Sequence, residues 1–287
     1  MKSLYVNLSE APKNTKELLS QKAHENNDPI IDEDTVIIDE ATGETLLIYK
    51  DTDELLDTDR MIEALSKVKF SVNKRTNGLV TQSEIIGYRP RMVGLAGKKT
   101  CSKTAFGNKY KSIEDDLFAV AKSAEQLYGE FAPERYQNHA ELATNVRGEY
   151  LMPETHFTSG IINKNNPLKY HLDTGNFKNV FSIMLGLKKD IKGGYLHIPE
   201  LKVNLKISNG SLSMFDGQRF VHGVTPMLGT SEASYRFTIV FYSLVQMWNC
   251  LETSLEVANA KKAEDRKLEK LLRMIEEEKQ KNANSNL

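Results

Sequence analysis

Apolar and polar positions change their period several times along this chain. The first 28 residues are polar, with a short helix predicted around Thr15 to His24. Thr35-Val36-Ile37-Ile38-Asp39 and Thr45-Leu46-Leu47-Ile48-Tyr49 are β-rich runs on either side of a turn carrying Gly43, which predicts a hairpin. Asp57 to Val68 returns to helical spacing through Met61, Ile62, Leu65 and Val68. From Ser112, the positions Leu117, Val120, Ala121, Ala124 and Leu127 make one apolar helix face running to about Gly129, and a second helix follows over roughly Ala132 to Ala143. Beyond Phe157 the period shortens. Phe157 to Ile162, Val180 to Leu187, Tyr195 to Ile198, Val203 to Ile207, Ser211 to Phe215 and Tyr235 to Tyr242 read as short strands separated by Gly, Asn, Pro and Asp. Short strands after helices predict an α+β protein with a jelly-roll, or double-stranded β-helix, core flanked by helices. From Glu252 onward the chain is charged and helical, with Leu268, Leu272 and Ile275 on one stripe. That stripe predicts an amphipathic helix packed on the domain; too few heptads are present to favour a coiled coil.

Charge divides the chain further. Residues 1 to 60 carry fifteen Asp/Glu against six Lys/Arg, whereas 67 to 111 carry eleven Lys/Arg against the single Glu84. The net charge of −1 hides this segregation. A basic stretch of that density, broken by Gly78, Gly87, Pro90, Gly94 and Gly97, is a candidate polyanion surface, with a solvated surface beside an acidic neighbour as the alternative. The organisation expected is an acidic N-terminal extension with hairpin and helix over 1–66, a catalytic domain over 67–250 and a charged helical tail over 251–287.

The two cysteines, Cys101 and Cys250, lie far apart without a CxxC pattern, so neither a disulfide framework nor a zinc knot is expected and a reducing compartment is the default. Lys98, Lys99 and Lys103 around Cys101 would favour a thiolate, but nothing supplies a catalytic partner. No apolar run approaches the ~20 residues of a membrane span and the start lacks a signal pattern, so a soluble intracellular protein without a membrane partner is expected.

The candidate chemistry centres on Tyr170-His171-Leu172-Asp173-Thr174-Gly175-Asn176. On a strand, His171 and Asp173 point to one side. His222 follows after 51 residues in a compact run, Phe220-Val221-His222-Gly223-Val224-Thr225-Pro226, and Arg236 after 14 more. Two histidines and a carboxylate on one side of a metal, with open positions opposite, describe a non-haem Fe(II) site. The alternative is a structural His–Asp hydrogen bond. Arg236 alternates with Phe237, Ile239 and Phe241, so Arg236 and Thr238 share the inward face, and an inward arginine needs an anionic partner.

His-x-Asp, a distant His and an Arg fourteen further on resemble the 2-oxoglutarate- and Fe(II)-dependent dioxygenases. The resemblance implies that His171, Asp173 and His222 hold iron, and that Arg236 with Thr238 pairs with the distal carboxylate of 2-oxoglutarate, which a guanidinium fork suits. The runs Phe157-Thr158-Ser159-Gly160-Ile161-Ile162-Asn163, Gly193-Gly194-Tyr195-Leu196 and Met214-Phe215-Asp216-Gly217, with those above, resemble the TET and J-binding-protein family over roughly residues 75 to 245. That family oxidises the 5-methyl group of cytosine or thymine in DNA, consuming O2 and 2-oxoglutarate. The resemblance implies that Asn176, five after the first histidine, reads the target base; the alternative is a turn residue after Gly175. It also implies a DNA surface in the basic stretch near Gly87-Tyr88-Arg89-Pro90-Arg91. Arg91 is assigned to 2-oxoglutarate and Arg89 with Tyr88 to the substrate, though either arginine could be surface charge. Phe177, Phe220 and Tyr88 are candidates to stack a flipped base. The expected reaction is 5-methylcytosine to 5-hydroxymethylcytosine, with thymine hydroxylation, a protein hydroxylase or a non-catalytic DNA-binding module as alternatives. His156 and His197 are expected to be structural, His24 and His139 exposed.

Overall fold

The computed structural model describes residues 1–52, 57–74, 80–91 and 100–284. Gly78, Gly94, Gly97, Lys98 and Lys99 lie outside the described residues. A ten-stranded sheet runs in the order Lys2–Val6, Thr35–Asp39, Thr45–Asp51, Ser211–Phe215, Ser182–Lys189, Tyr235–Tyr242, Ser159–Lys164, Val80–Arg89 and Val72–Lys74, with Ser102–Lys103 also paired to Val80–Arg89. A four-stranded sheet, Gly223–Val224, Leu196–Ile198, Val203–Leu205 and Ile30–Ile31, packs on it through Leu47, Met184, Phe215, Leu196, Ile198 and Leu205. The jelly-roll expected from the strand pattern is therefore present. The hairpin belongs to the large sheet, so the acidic residues before 66 share the barrel's hydrogen bonding.

Five α-helices are described: α1 (Thr58–Ser66), α2 (Ala105–Lys109), α3 (Lys111–Phe131), α4 (Pro133–Ala143) and α5 (Thr253–Asn284). The Asp57 side chain accepts from Arg60 N at 3.0 Å, capping α1 and fixing its start. Ile113, Leu117, Phe118, Ala121, Ala124 and Tyr128 make the buried face of α3. They meet Ile183, Leu185 and Leu187 of one central strand and Phe237, Ile239 and Phe241 of the next in one apolar cluster. Alternation then puts Ser182 and Met184, and Arg236, Thr238, Val240 and Tyr242, on the opposite face of the same strands.

Three expectations fail. Thr15 to His24 is only a 3-10 turn over Thr15–Leu18, because the backbone beyond it is committed elsewhere. Ser20, at φ +69°, donates its N–H to Tyr170 O, and Gln21 O accepts from Tyr170 N, lacing this arm across the first histidine's strand. Cys101 and Cys250 are joined in a disulfide with Cα atoms 5.7 Å apart, so neither offers a free thiol. A separation of 149 residues leaves no spacing signature, and the pairing removes the cysteine argument for a reducing compartment. Beyond its first turn the C-terminal helix does not pack on the domain: every side chain from 261 to 278 is exposed. Among the described residues, no helix is long and apolar enough to cross a membrane.

Candidate active site

His171 and His222 face each other as an isolated antiparallel bridge, each N–H donating to the other's carbonyl at 2.9 and 3.1 Å. Each Nδ1 lies 2.8–2.9 Å from a backbone carbonyl two residues earlier, Lys169 O for His171 and Phe220 O for His222. Those carbonyls hold the proton on Nδ1 and leave the lone pair on Nε2, the arrangement a metal-binding imidazole needs. Asp173 Oδ1 lies 3.7 Å from His171 Nε2 and 3.8 Å from His222 Nε2. All three ligand atoms fall within 4.8 Å of one another, the donor set of a facial two-histidine, one-carboxylate metal site.

The turn Asp216-Gly217-Gln218-Arg219 supports that carboxylate. Asp216 Oδ1 accepts from Gln218 N and Arg219 N, and burial pushes the Asp216 carboxyl above its usual range. Gly217 O accepts from Asp173 N at 2.9 Å. A Cβ on Gly217 would stand 2.4 Å from Asp173 Oδ2, so a side chain there would displace this carboxylate from its present position. Gln218 Nε2 donates to Asn176 O at 2.6 Å and holds the end of the same loop.

A cavity of about 320 Å³ joins these groups to Arg236. His171 and Asp173 form its open edge, with side chains 31% and 28% exposed, whereas Arg236 is 1% exposed. The Arg236 Nε donates to Gly194 O at 3.0 Å, and no carboxylate pairs with the guanidinium among the described residues. Burial lowers its pKa from 12.5 to about 10. A buried cation offset only by a neutral carbonyl favours an anionic ligand, and Thr238 and Asn163 line the same cavity with further polar groups. These residues fit the carboxylate end of 2-oxoglutarate. Asn176, 7% exposed, also lines the cavity, its Nδ2 3.1 Å from Ser182 Oγ.

The other candidates fall elsewhere. Arg91 bonds Glu256 at 3.0 Å and also Asn249 O, so the structure does not bring it to the cavity. Tyr88 packs edge-on against Tyr150, and neither it nor Arg89 lines the cavity. Phe177 and Phe220 are core residues, 0% and 3% exposed. The cavity's aromatic side chains besides its histidines are instead Phe215 and Tyr242. Burial and the nearby Asp173 push the Tyr242 phenol above its usual range, so it stays protonated. Ser182 and Leu244 carry no signal singled out from sequence; Tyr242 reads there as a core-packing or tail-docking residue at the end of the last strand, and the structure puts it on the cavity instead. Two more steps of the alternation through Arg236 and Thr238 lead to Tyr242, and the same alternation in its neighbour selects Ser182. In the basic stretch Lys103 pairs with buried Glu114, Lys67 with Glu63 and Lys111 with Asp115, which matches the solvated-surface alternative at these positions. His156 is held by Glu125, and His197 by Tyr170 and Asp28, both structural as expected. His139, expected at the surface, is 0% exposed, its Nε2 2.8 Å from Ser243 Oγ.

The family profile for the oxygenase domain of the 2OGFeDO superfamily, Tet_JBP, matches residues 86–244. The chain belongs to the TET and J-binding-protein oxygenases. It is thus a dioxygenase of the class that uses Fe(II) and 2-oxoglutarate. The bifunctional helicase and thymine dioxygenase JBP2 of Leishmania braziliensis is 24% identical over 179 residues, 62% of this chain and 16% of the relative. JBP2 of Trypanosoma brucei brucei is 25% identical over 233 residues, 79% of this chain and 21% of the relative. The chain thus spans about a fifth or less of these relatives' length. The solved structure of NgTET1 in complex with 5mC DNA superposes with a TM-score of 0.54 at 13% identity, covering 80% of this chain and 86% of that one, a likeness of fold.

Proposed function

We propose that this chain hydroxylates the 5-methyl group of a pyrimidine in DNA, with 5-methylcytosine as substrate and 5-hydroxymethylcytosine as product. One observation carries the reading: a single cavity runs from the His171–Asp173–His222 cluster to a buried arginine that no carboxylate pairs among the described residues, and also holds the Asn176–Ser182 pair. His171, Asp173 and His222 hold the iron, and the carbonyls of Lys169 and Phe220 keep both imidazoles in the ligating tautomer. When bound there, iron supplies the chemistry by which O2 and 2-oxoglutarate give succinate, carbon dioxide and a hydroxylated methyl group. Arg236 receives the distal carboxylate of 2-oxoglutarate, with Thr238 beside it. A cavity of this size admits one base that has left its stack. Tyr242 offers that base an aromatic face.

Base choice falls to Asn176. With one Nδ2 hydrogen given to Ser182, the amide oxygen is an acceptor for substrate, which matches the exocyclic amino group of cytosine. The second reading is thymine, favoured by the names of the JBP relatives. There the amide turns over, Ser182 donates to its oxygen, and Nδ2 meets thymine O4. Asn176→Asp separates the two, because a carboxylate only accepts. Hydroxylation of paired 5-methylcytosine and thymine substrates by this variant is the test. The cytosine reading expects retained activity on 5-methylcytosine; a wild-type chain that hydroxylates thymine, with that activity lost in the variant, would transfer the assignment.

A further inference from the structure

We infer that the C-terminal helix α5 joins two copies of this chain through antiparallel packing of the stripe Leu268, Leu271, Leu272 and Ile275. At ~1.5 Å per residue the 32 residues of α5 extend roughly 48 Å. Its first turn is anchored to the domain. Glu256, 2% exposed, accepts from Cys101 N and Leu251 N and pairs with Arg91, while Glu149 accepts from Thr253 N and Oγ1. From 261 to 278 the helix leaves that anchor with every side chain exposed. Leu268, Leu271, Leu272 and Ile275 are 57%, 53%, 52% and 40% exposed. They recur at i, i+3, i+4 and i+7, one face of a helix that covers none of the described residues of its own chain.

Charge selects the occupant. Between 261 and 278 six Lys/Arg balance six Asp/Glu, so this segment offers no net attraction to a polyanion. At 100° per residue, Lys261 and Glu264 fall within about 30° of the centre line of the apolar stripe, and Glu278 falls beside its Leu271 edge. Parallel pairing of two copies would set each of these charges against itself. Antiparallel pairing with Leu268 facing Leu271 sets Lys261 of each copy against Glu278 of the other, two opposite-charge contacts by symmetry, and places Ile275 beside the stem of Glu264. The same sequence is therefore complementary to itself in one direction and repulsive in the other, the pattern by which helix pairs set their orientation.

Sedimentation equilibrium of the full chain over roughly 1 to 100 µM, the range a short apolar stripe reaches after association costs, is the test. A concentration-dependent dimer is expected. Leu268→Gln with Leu272→Gln should weaken it by roughly a hundredfold or more, while 2-oxoglutarate turnover, which shows that the domain is folded, stays unchanged. Lys261→Glu and Glu278→Lys should each weaken association several-fold, and the two together should restore it. A wild-type monomer across the range, or a dimer indifferent to the leucine changes, would overturn the inference. Failure of the charge exchange to rescue would overturn its antiparallel form.

Discussion

The two faces of the central strands are built to different ends. Toward α3, Ile183, Leu185, Leu187, Phe237, Ile239 and Phe241 are nearly fully buried in apolar contact. Carboxylates buried on that side have partners, Glu125 at His156 and Glu114 at Lys103. Toward the cavity, the same strands present Ser182, Arg236, Thr238 and Tyr242. There a guanidinium lies buried against a single carbonyl. One face spends its side chains on stability, and the other keeps polar groups whose partners must come from outside the chain. An enzyme core of this kind can be read by asking which buried groups are left wanting.

Substitutions on the two faces should therefore have opposite signatures. The largest effect is expected from Asp173→Ala, which removes the carboxylate between the two histidines. Turnover should fall at least ~1,000-fold and iron content should drop, with DNA affinity and melting temperature little changed; lost DNA binding would make the His–Asp pair structural. Ile239→Ala, one residue beyond Thr238 on the other face, should cost about 2–5 kcal/mol in denaturant unfolding while the folded fraction keeps its KM values. Arg236→Met should raise the KM for 2-oxoglutarate by roughly 10- to 100-fold. Its melting temperature should hold or rise, because an unpaired buried charge is removed; a clear fall in stability would mean that Arg236 serves the fold.

The last effect concerns pH on the helix side. Burial lowers the His139 pKa from 6.5 to about 3, so the unfolded chain takes up a proton below 6.5 that the folded chain refuses. The stability this contributes is complete above pH 6.5 and is lost as pH falls toward 3, at up to about 1.4 kcal/mol per pH unit. His139→Gln, which keeps a donor for Ser243, should flatten that part of the acid dependence measured by thermal unfolding. An unchanged slope would place the acid sensitivity elsewhere.

Much of this was legible in the chain. The alternation through Arg236, Phe237, Thr238 and Ile239 sorts the two faces in the sequence itself, because a strand has no freedom in its period. The spacing of His171, Asp173 and His222 was legible because metal chemistry restricts the donor types. What stayed hidden depends on partners remote in sequence. Thr15 to His24 has helical composition, but Tyr170 claims its backbone. Cys101 and Cys250 carry no spacing signal. Tyr88, Arg89 and Arg91 were placed near the cavity from their position in a basic stretch, yet Arg91 is held by a carboxylate 165 residues away. His139 had a faint local signal, since Tyr136, His139 and Ala143 share one face of α4, but a single histidine among polar neighbours gives no measure of depth.

The central claim is that the cavity oxidises a methyl group on a DNA base, and one measurement reaches it directly. Purified protein with Fe(II), ascorbate and 2-oxoglutarate is incubated with DNA containing 5-methylcytosine and with unmodified DNA, and the nucleosides are weighed after digestion. The expected result is 5-hydroxymethylcytosine that appears only with 2-oxoglutarate and disappears in Asp173→Ala. Succinate formation without any oxidised pyrimidine from either DNA would contradict it.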